Sequence, residues 1–200
     1  MSLPAAPATP QLTAHPHGPQ SVTWWGMIGL ITIEIVVFSG FIAIYFYLRL
    51  FNPAWPPEEI GPPDLLLPTL NTLILIASSV AMFIADHGVK KDKQLQLKVG
   101  QIIALALAVT FLALKYVEYS GYDYSWSTHA YGSVVYTITG FHSAHIISVV
   151  LKGFVVLAMA FRGMFTPERH LAVQVNGLYW HFVVVIWLPL YATIYLSPHL

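Results

Sequence analysis

Cysteine is absent from the 200-residue sequence. Its absence excludes disulfide bonds, thiolate zinc sites, iron–sulfur clusters and catalysis by a Cys–His pair. Charged residues are also scarce, at 9% of the chain, whereas soluble domains carry about 25%. So few charges cannot cover a water-soluble surface of this size, and hydrophobic residues make up 56% of the chain. The composition therefore predicts a protein that faces lipid over much of its surface.

The charges that are present sum to zero, and no basic block is found that would favour nucleic acid as a partner. Residues 1–22 contain no Lys, no Arg and no apolar run, which is unlike a secretory signal. We interpret them as a mobile tail ahead of a membrane domain at residues 23–200. His15 and His17 in this tail are candidate metal ligands, but a solvated polar tail is the preferred interpretation.

Five apolar stretches are long enough to cross a bilayer, which takes about 20 residues as a helix. They cover residues 24–50, 66–87, 97–122, 131–162 and 171–196. The first break, residues 52–64, contains five prolines, which stop a helix. The predicted fold class is therefore an all-α integral membrane protein with five transmembrane helices.

The basic residues outside the spans lie almost entirely on one side of the predicted membrane. The loops after helices 2 and 4 carry six of them, and the opposite side carries only Arg49. Because cytoplasmic loops are enriched in Lys and Arg, this asymmetry predicts a cytoplasmic N-terminus and an external C-terminus. The six basic residues are Lys90, Lys91, Lys93, Lys98, Arg162 and Arg169.

Several ionisable side chains fall inside the predicted spans, where they are costly and often functional. They are Glu34, Lys115, Glu118, His142, His145, Lys152 and His181. Lys115 and Glu118 are three residues apart, so they share a helix face and can pair, and we favour a structural role for them.

The intramembrane histidines raise the question of haem, which needs one His on each of two helices at similar depth. His181 lies about 15 Å from the inner end of helix 5, but His145 lies about 25 Å from the inner end of helix 4. His142 and His145 could share a small metal ion, yet no third ligand is close in sequence. Hydrogen bonds between helices are therefore the preferred interpretation.

Glu34 lies among apolar residues, about 15 Å from the inner start of helix 1. An unpaired charge there is expensive, so the carboxyl is expected to be protonated or paired. Lys152 and His181 fall at a similar depth and are its candidate partners. A proton-handling role and a structural hydrogen bond both remain open.

Several ordered motifs resemble subunit III of the haem–copper terminal oxidases, in its five-helix bacterial type. TGFHSAH at 139–145 and YWHFVVVIWL at 179–188 are similar to that family's segments, as are LNTLILIASS at 70–79 and the setting of Glu34. Glu118 in KYVEY also fits in order and spacing. The resemblance covers the chain after residue 22.

The resemblance implies a V-shaped helix bundle that holds phospholipids in its cleft, without haem or copper in this chain. Haem and copper would lie in partner subunits, and the chain would dock with oxidase subunits I and II in a bacterial plasma membrane. Proton uptake and stability of subunit I are the implied contributions, and a respiratory supercomplex is a further candidate assembly. Candidate lipid contacts are Arg49, which could reach a phosphate, and the interfacial Trp25.

One position departs from the family pattern: Val184 stands where the family has an aspartate. We hypothesise that Lys152 or Glu34 takes over the role of that aspartate toward a neighbouring helix. Two other functions are candidates, a haem-binding cytochrome that itself transfers electrons and a free-standing transporter. The transporter is disfavoured because the sequence shows no internal repeat.

Overall fold

The computed structural model describes residues 18–200 and consists of five long helices. They are α1 (Val22–Phe51), α2 (Leu66–Lys90), α3 (Gln94–Ser120), α4 (Ala130–Phe161) and α5 (Leu171–Tyr191). Each is long and apolar enough to span a membrane, and no strand is assigned among residues 18–200. The predicted fold class and the five predicted spans are confirmed, and the chain is a multi-pass membrane protein. His15, His17 and most of the predicted tail lie outside the described residues.

Four of the helices form a ring, because α2 packs on α3, α3 on α4, α4 on α5, and α5 on α2. The remaining helix, α1, lies outside this ring and contacts α4 and α5. The V-shaped cleft that the resemblance implied stays a prediction.

The tightest pair is the α2–α3 hairpin, whose turn is Lys91–Asp92–Lys93. Asp92 adopts a left-handed conformation with φ of 57°, and the Lys93 N–H donates to the Gly88 carbonyl at 2.9 Å. Gly100 lets the two helices approach closely, since a Cβ there would lie 2.9 Å from the Ala81 carbonyl oxygen.

Hydrogen bonds from buried polar side chains connect the helices of the ring on its inner side. The indole of Trp180 donates to Ser78 at 3.1 Å, and that of Trp187 donates to Thr72 at 2.9 Å. Gln101 donates to the Gly153 carbonyl at 3.2 Å. Such bonds are common between membrane helices, where no water competes for the groups.

Candidate functional site

A polar cluster surrounds Glu34 where α1 packs against α4 and α5. The Tyr179 hydroxyl of α5 donates to Glu34 Oε1 at 2.9 Å. His145 of α4 places Nε2 3.5 Å from the same oxygen. The second oxygen, Oε2, is buried and has no hydrogen-bond partner among residues 18–200. The carboxyl group is thus only partly satisfied, in a setting where an added proton or an added partner would complete it.

Lys152 joins this cluster from one side. Its Nζ lies 3.6 Å from the centre of the Tyr179 ring, a cation–π contact. No ion pair joins Lys152 to Glu34 among residues 18–200, so Lys152 reaches the cluster through Tyr179. The cluster therefore holds a phenol and an imidazole against the Glu34 carboxyl group, with an amine on the far side of the phenol ring.

The expectation that His181 pairs with Glu34 is wrong, because His181 faces α2. Its Nδ1 lies 2.6 Å from the Ser79 hydroxyl oxygen. Tyr179 and His181 are two residues apart on α5, which turns their side chains about 200° from each other. A similar depth along the membrane does not determine which neighbour a side chain faces.

His142 makes a purely interhelical contact. It is fully buried on α4, with Nε2 3.0 Å from the Val183 carbonyl oxygen of α5. Its ring stacks on Trp187 with centroids 4.5 Å apart. Hydrogen bonding between helices is therefore confirmed for His142 and His181. Among residues 18–200, no group of three or more His, Asp or Glu side chains could hold a metal ion.

A second cluster surrounds the Lys115–Glu118 pair, near the C-terminal end of α3. Lys115 Nζ is 2.8 Å from Glu118 Oε2, so the predicted pairing is confirmed. Lys115 also donates to the Tyr195 hydroxyl at 2.7 Å, and Tyr195 in turn donates to Glu118. Tyr122 adds a bond to Glu118 Oε1 at 2.6 Å. Both charges are almost wholly buried, and hydrogen bonds with the phenols of Tyr122 and Tyr195 satisfy their remaining polar atoms.

Burial raises the pKa of Tyr122, in the loop beyond α3, well above its ordinary value, and the Glu118 carboxylate adds to the effect. The phenol therefore stays protonated at physiological pH and remains a donor to Glu118. Burial likewise raises the pKa of the neighbouring Tyr124.

The two candidate lipid contacts lie at opposite ends of α1. Arg49 Nη1 donates to the Ser197 carbonyl at 2.9 Å, and the guanidinium lines a cavity of about 520 Å³ with Phe46 and Pro53. Trp25 is 57% exposed and donates to the Pro19 carbonyl at 2.9 Å. Both are placed to meet lipid, and their lipid contact stays a prediction.

Sequence reasoning missed Tyr179 and found no role for Ser79. Tyr179 is the first residue of the motif at 179–188 and lies two positions before His181, so its place in that motif was an available signal. Val184, at the position of the family aspartate, lies in the apolar core and is 4% exposed. The hypothesis that Lys152 or Glu34 replaces that aspartate stays a prediction.

Comparison with known proteins gives a consistent result over nearly the whole chain. A family model described as cytochrome c oxidase subunit III matches residues 11–198. The cytochrome c oxidase subunit 3 of Synechocystis sp. is 32% identical over 184 residues, covering 90% of this chain and 78% of the relative. That of Thermostichus vulcanus is 32% identical over 186 residues, covering 91% and 90%. That of Mus musculus is 34% identical over 177 residues, covering 86% and 68%.

Proposed function

The chain belongs to the cytochrome c oxidase subunit III family, and we propose that it is the non-redox subunit III of a proton-pumping haem–copper terminal oxidase. In this role it binds structural lipids, supports proton uptake and stabilises catalytic subunit I. Subunits I and II are its partners and carry the haem and copper. Its proposed location is the plasma membrane of a bacterium.

The Glu34 cluster is the observation that carries the proposed role in proton uptake. Glu34 lies twelve residues into α1, so it is about 18 Å from the start of that helix at Val22. A carboxyl group in an apolar span is retained at a cost, and a proton relay is one of the recurrent reasons. Here one oxygen is bonded to Tyr179, and the other is buried without a hydrogen-bond partner among residues 18–200. His145 places Nε2 3.5 Å from the oxygen that Tyr179 bonds, so an imidazole lies next to the carboxyl group.

Lipid binding is supported by an apolar groove beside this cluster. The groove has a volume of about 430 Å³ and lies between α1, α4 and α5. Met27, Val156 and Leu171 are among the side chains that line it. An acyl chain fits such a lining, and Arg49 at the opposite end of α1 offers a cation for a phosphate.

The test replaces Glu34 in the assembled oxidase. We expect Glu34→Gln to lower sustained proton uptake severalfold in proteoliposomes, because glutamine keeps the shape but cannot exchange a proton. Haem content should be unchanged. Proton uptake per electron is followed with a pH-sensitive dye through repeated turnovers.

The matched control is Glu168→Gln, which removes an exposed carboxylate from the loop between α4 and α5. It should behave as the wild type. If Glu34→Gln also sustains wild-type proton uptake, the proton-related role of this cluster is wrong, and a purely structural role remains.

A further inference from the structure

A cavity of about 350 Å³ lies at the end of the bundle opposite the Lys91–Asp92–Lys93 turn. It is formed by the loop between α1 and α2 and the loop between α3 and α4, together with the adjoining ends of α2, α3 and α4. We name it the loop cavity and define it by Glu59, Asp64, Tyr122, Asp123, Tyr124 and Tyr131.

The lining of the loop cavity is acidic, and no cation balances it. Glu59, Asp64 and Asp123 are exposed carboxylates, and none of them forms an ion pair among residues 18–200. Glu118 also lines the cavity, but Lys115 neutralises its charge. No Lys or Arg belongs to the lining, so the cavity presents three uncompensated negative charges.

A buried phenol lies against the same cavity. Tyr131 is 2% exposed, and its ring packs on those of Trp55 and Tyr124 with centroids 5.2 and 6.0 Å away. Its hydroxyl forms no hydrogen bond with any residue among 18–200. Buried hydroxyls are nearly always paired, so this oxygen is available to a molecule that occupies the cavity.

Aromatic rings make up much of the remaining wall. Tyr122 and Tyr124 both line the cavity and stack on each other with centroids 4.9 Å apart. The face of a phenol ring attracts a cation, and it does so most strongly where water is partly excluded. Carboxylates, tyrosine rings and an unpaired phenol oxygen together suit an alkylammonium group, which donates three hydrogen bonds and accepts none.

Other classes of ligand fit this lining less well. A phosphate, whether soluble or in a phospholipid headgroup, is normally bound by Arg or Lys, and the lining has neither. A calcium ion takes six or more oxygen ligands, and no group of three or more His, Asp or Glu side chains among residues 18–200 could hold a metal ion. The carboxylates are instead distributed over two loops, which favours a ligand whose positive charges are separated along a chain.

We propose that the loop cavity binds a soluble aliphatic polyamine. One ammonium group donates to the Tyr131 hydroxyl oxygen, and the other ammonium groups pair with Glu59 and Asp123 on the two loops. The proposal goes beyond the proposed function and does not depend on it, since the site is formed by this chain alone.

The test measures spermidine binding to the tagged full-length chain, purified in dodecyl maltoside with the subunits that accompany it. Radiolabelled spermidine is titrated by equilibrium dialysis at physiological ionic strength, and we expect a single saturable site per chain. Glu59→Gln should weaken binding about threefold, because it removes one exposed charge from the lining. Glu58→Gln is the matched control, since the adjacent carboxylate is equally exposed but does not line the cavity, and it should bind as the wild type does.

A second variant tests the buried phenol. Tyr131→Phe keeps the ring but removes the hydroxyl, and we expect binding to weaken about tenfold because a hydrogen bond to a charged group is lost. Tyr116→Phe is its control, since Tyr116 is 74% exposed on α3 and does not line the cavity. Thermal unfolding without spermidine shows whether each variant keeps its fold.

Three outcomes would overturn the proposal. One is the absence of saturable binding to the wild type, and another is equal weakening by Glu58→Gln and Glu59→Gln, which indicates only a general attraction to an acidic surface. The third is loss of spermidine binding when phosphatidylethanolamine is added to the micelles, which would assign the site to the amine of a lipid headgroup. Haem that co-purifies with the chain is measured separately, so these outcomes leave the proposed function intact.

Discussion

At the scale of residues, the most buried charges in the molecule belong to the Lys115–Glu118 pair. Lys115 is 2% exposed, and Tyr195 bonds to both members of the pair. The Lys115 ammonium also lies 4.9 Å from the centre of the Trp187 ring. Two opposite charges with complete hydrogen bonding are tolerated in a dry interior, but either one alone is not.

We therefore predict that Glu118→Gln lowers the free energy of unfolding by about 3–5 kcal/mol, because it leaves the Lys115 ammonium buried without a counter-charge. The double variant with Lys115→Met should recover much of this loss. The free energy is measured by SDS titration in mixed micelles. Asp123→Asn, an exposed charge at the same end, is the control and should change it by less than about 0.5 kcal/mol. A loss in Glu118→Gln no larger than in the control would contradict the account.

The sequence allowed this pair to be predicted because both residues lie on one helix at a spacing of three. Tyr195 could not be assigned to it, since that residue lies 77 positions beyond Glu118, in the π-helical segment after α5, and reaches the pair only through tertiary packing. The Glu34 cluster shows the same limit. Lys152 contacts the ring of Tyr179, and the rotation of α5 decides that Tyr179, and not His181, meets the carboxyl group.

At the scale of elements, the α2–α3 hairpin depends on close helix contact at Gly100. A Cβ at this position would lie 2.9 Å from both the Ala81 carbonyl oxygen and the Ala85 nitrogen. Those atoms belong to the backbone of α2, so the helices would have to separate to make room. Gly140 on α4 is the opposite case, since nothing lies within 4 Å of a Cβ added there.

We predict that Gly100→Ala destabilises the protein by about 1–3 kcal/mol through this clash. Gly140→Ala should be neutral or stabilising by up to about 1 kcal/mol, because alanine favours the helix. Thermal unfolding of the two variants, compared with the wild type in one detergent, distinguishes them. A stable Gly100→Ala protein would show that the helices are not in close contact at this position.

Helix positions could be predicted from the apolar runs, and all five were confirmed. The fifth span continues to residue 196 as predicted, but its helix type changes: the α-helix ends at Tyr191 and a π-helical segment covers Ala192–Leu196. Pro189 is the physical reason, because it has no N–H to donate and disturbs the hydrogen-bond ladder around it. Hydrophobicity alone gives no sign of such a change in helix type.

At the scale of the whole molecule, the charge asymmetry between the two ends predicts the orientation in the membrane. The ends that carry Lys93 and Arg162 lie on one side, and the acidic loops with Glu58 and Asp123 lie on the other. Positive charge is retained on the cytoplasmic side during insertion, so the Lys93 turn should be internal.

The absence of cysteine makes this orientation directly testable, since the wild type has no thiol to label. We predict that Ser127→Cys, in the exposed loop after α3, reacts with an impermeant maleimide in intact cells or spheroplasts. Lys93→Cys, at the exposed α2–α3 turn, should react only after the membrane is permeabilised. The reverse pattern would place the N-terminus outside and contradict the proposed topology.

The most direct test of the central claim is affinity purification of the tagged chain from native membranes in mild detergent, followed by an optical spectrum and an oxygen-uptake assay. The account predicts that haem, copper and oxidase activity co-purify with the chain. It also predicts that the chain is colourless once its partners have been stripped away. A chain that purifies alone, or that keeps haem after its partners are removed, would contradict its role as the non-redox subunit of the oxidase.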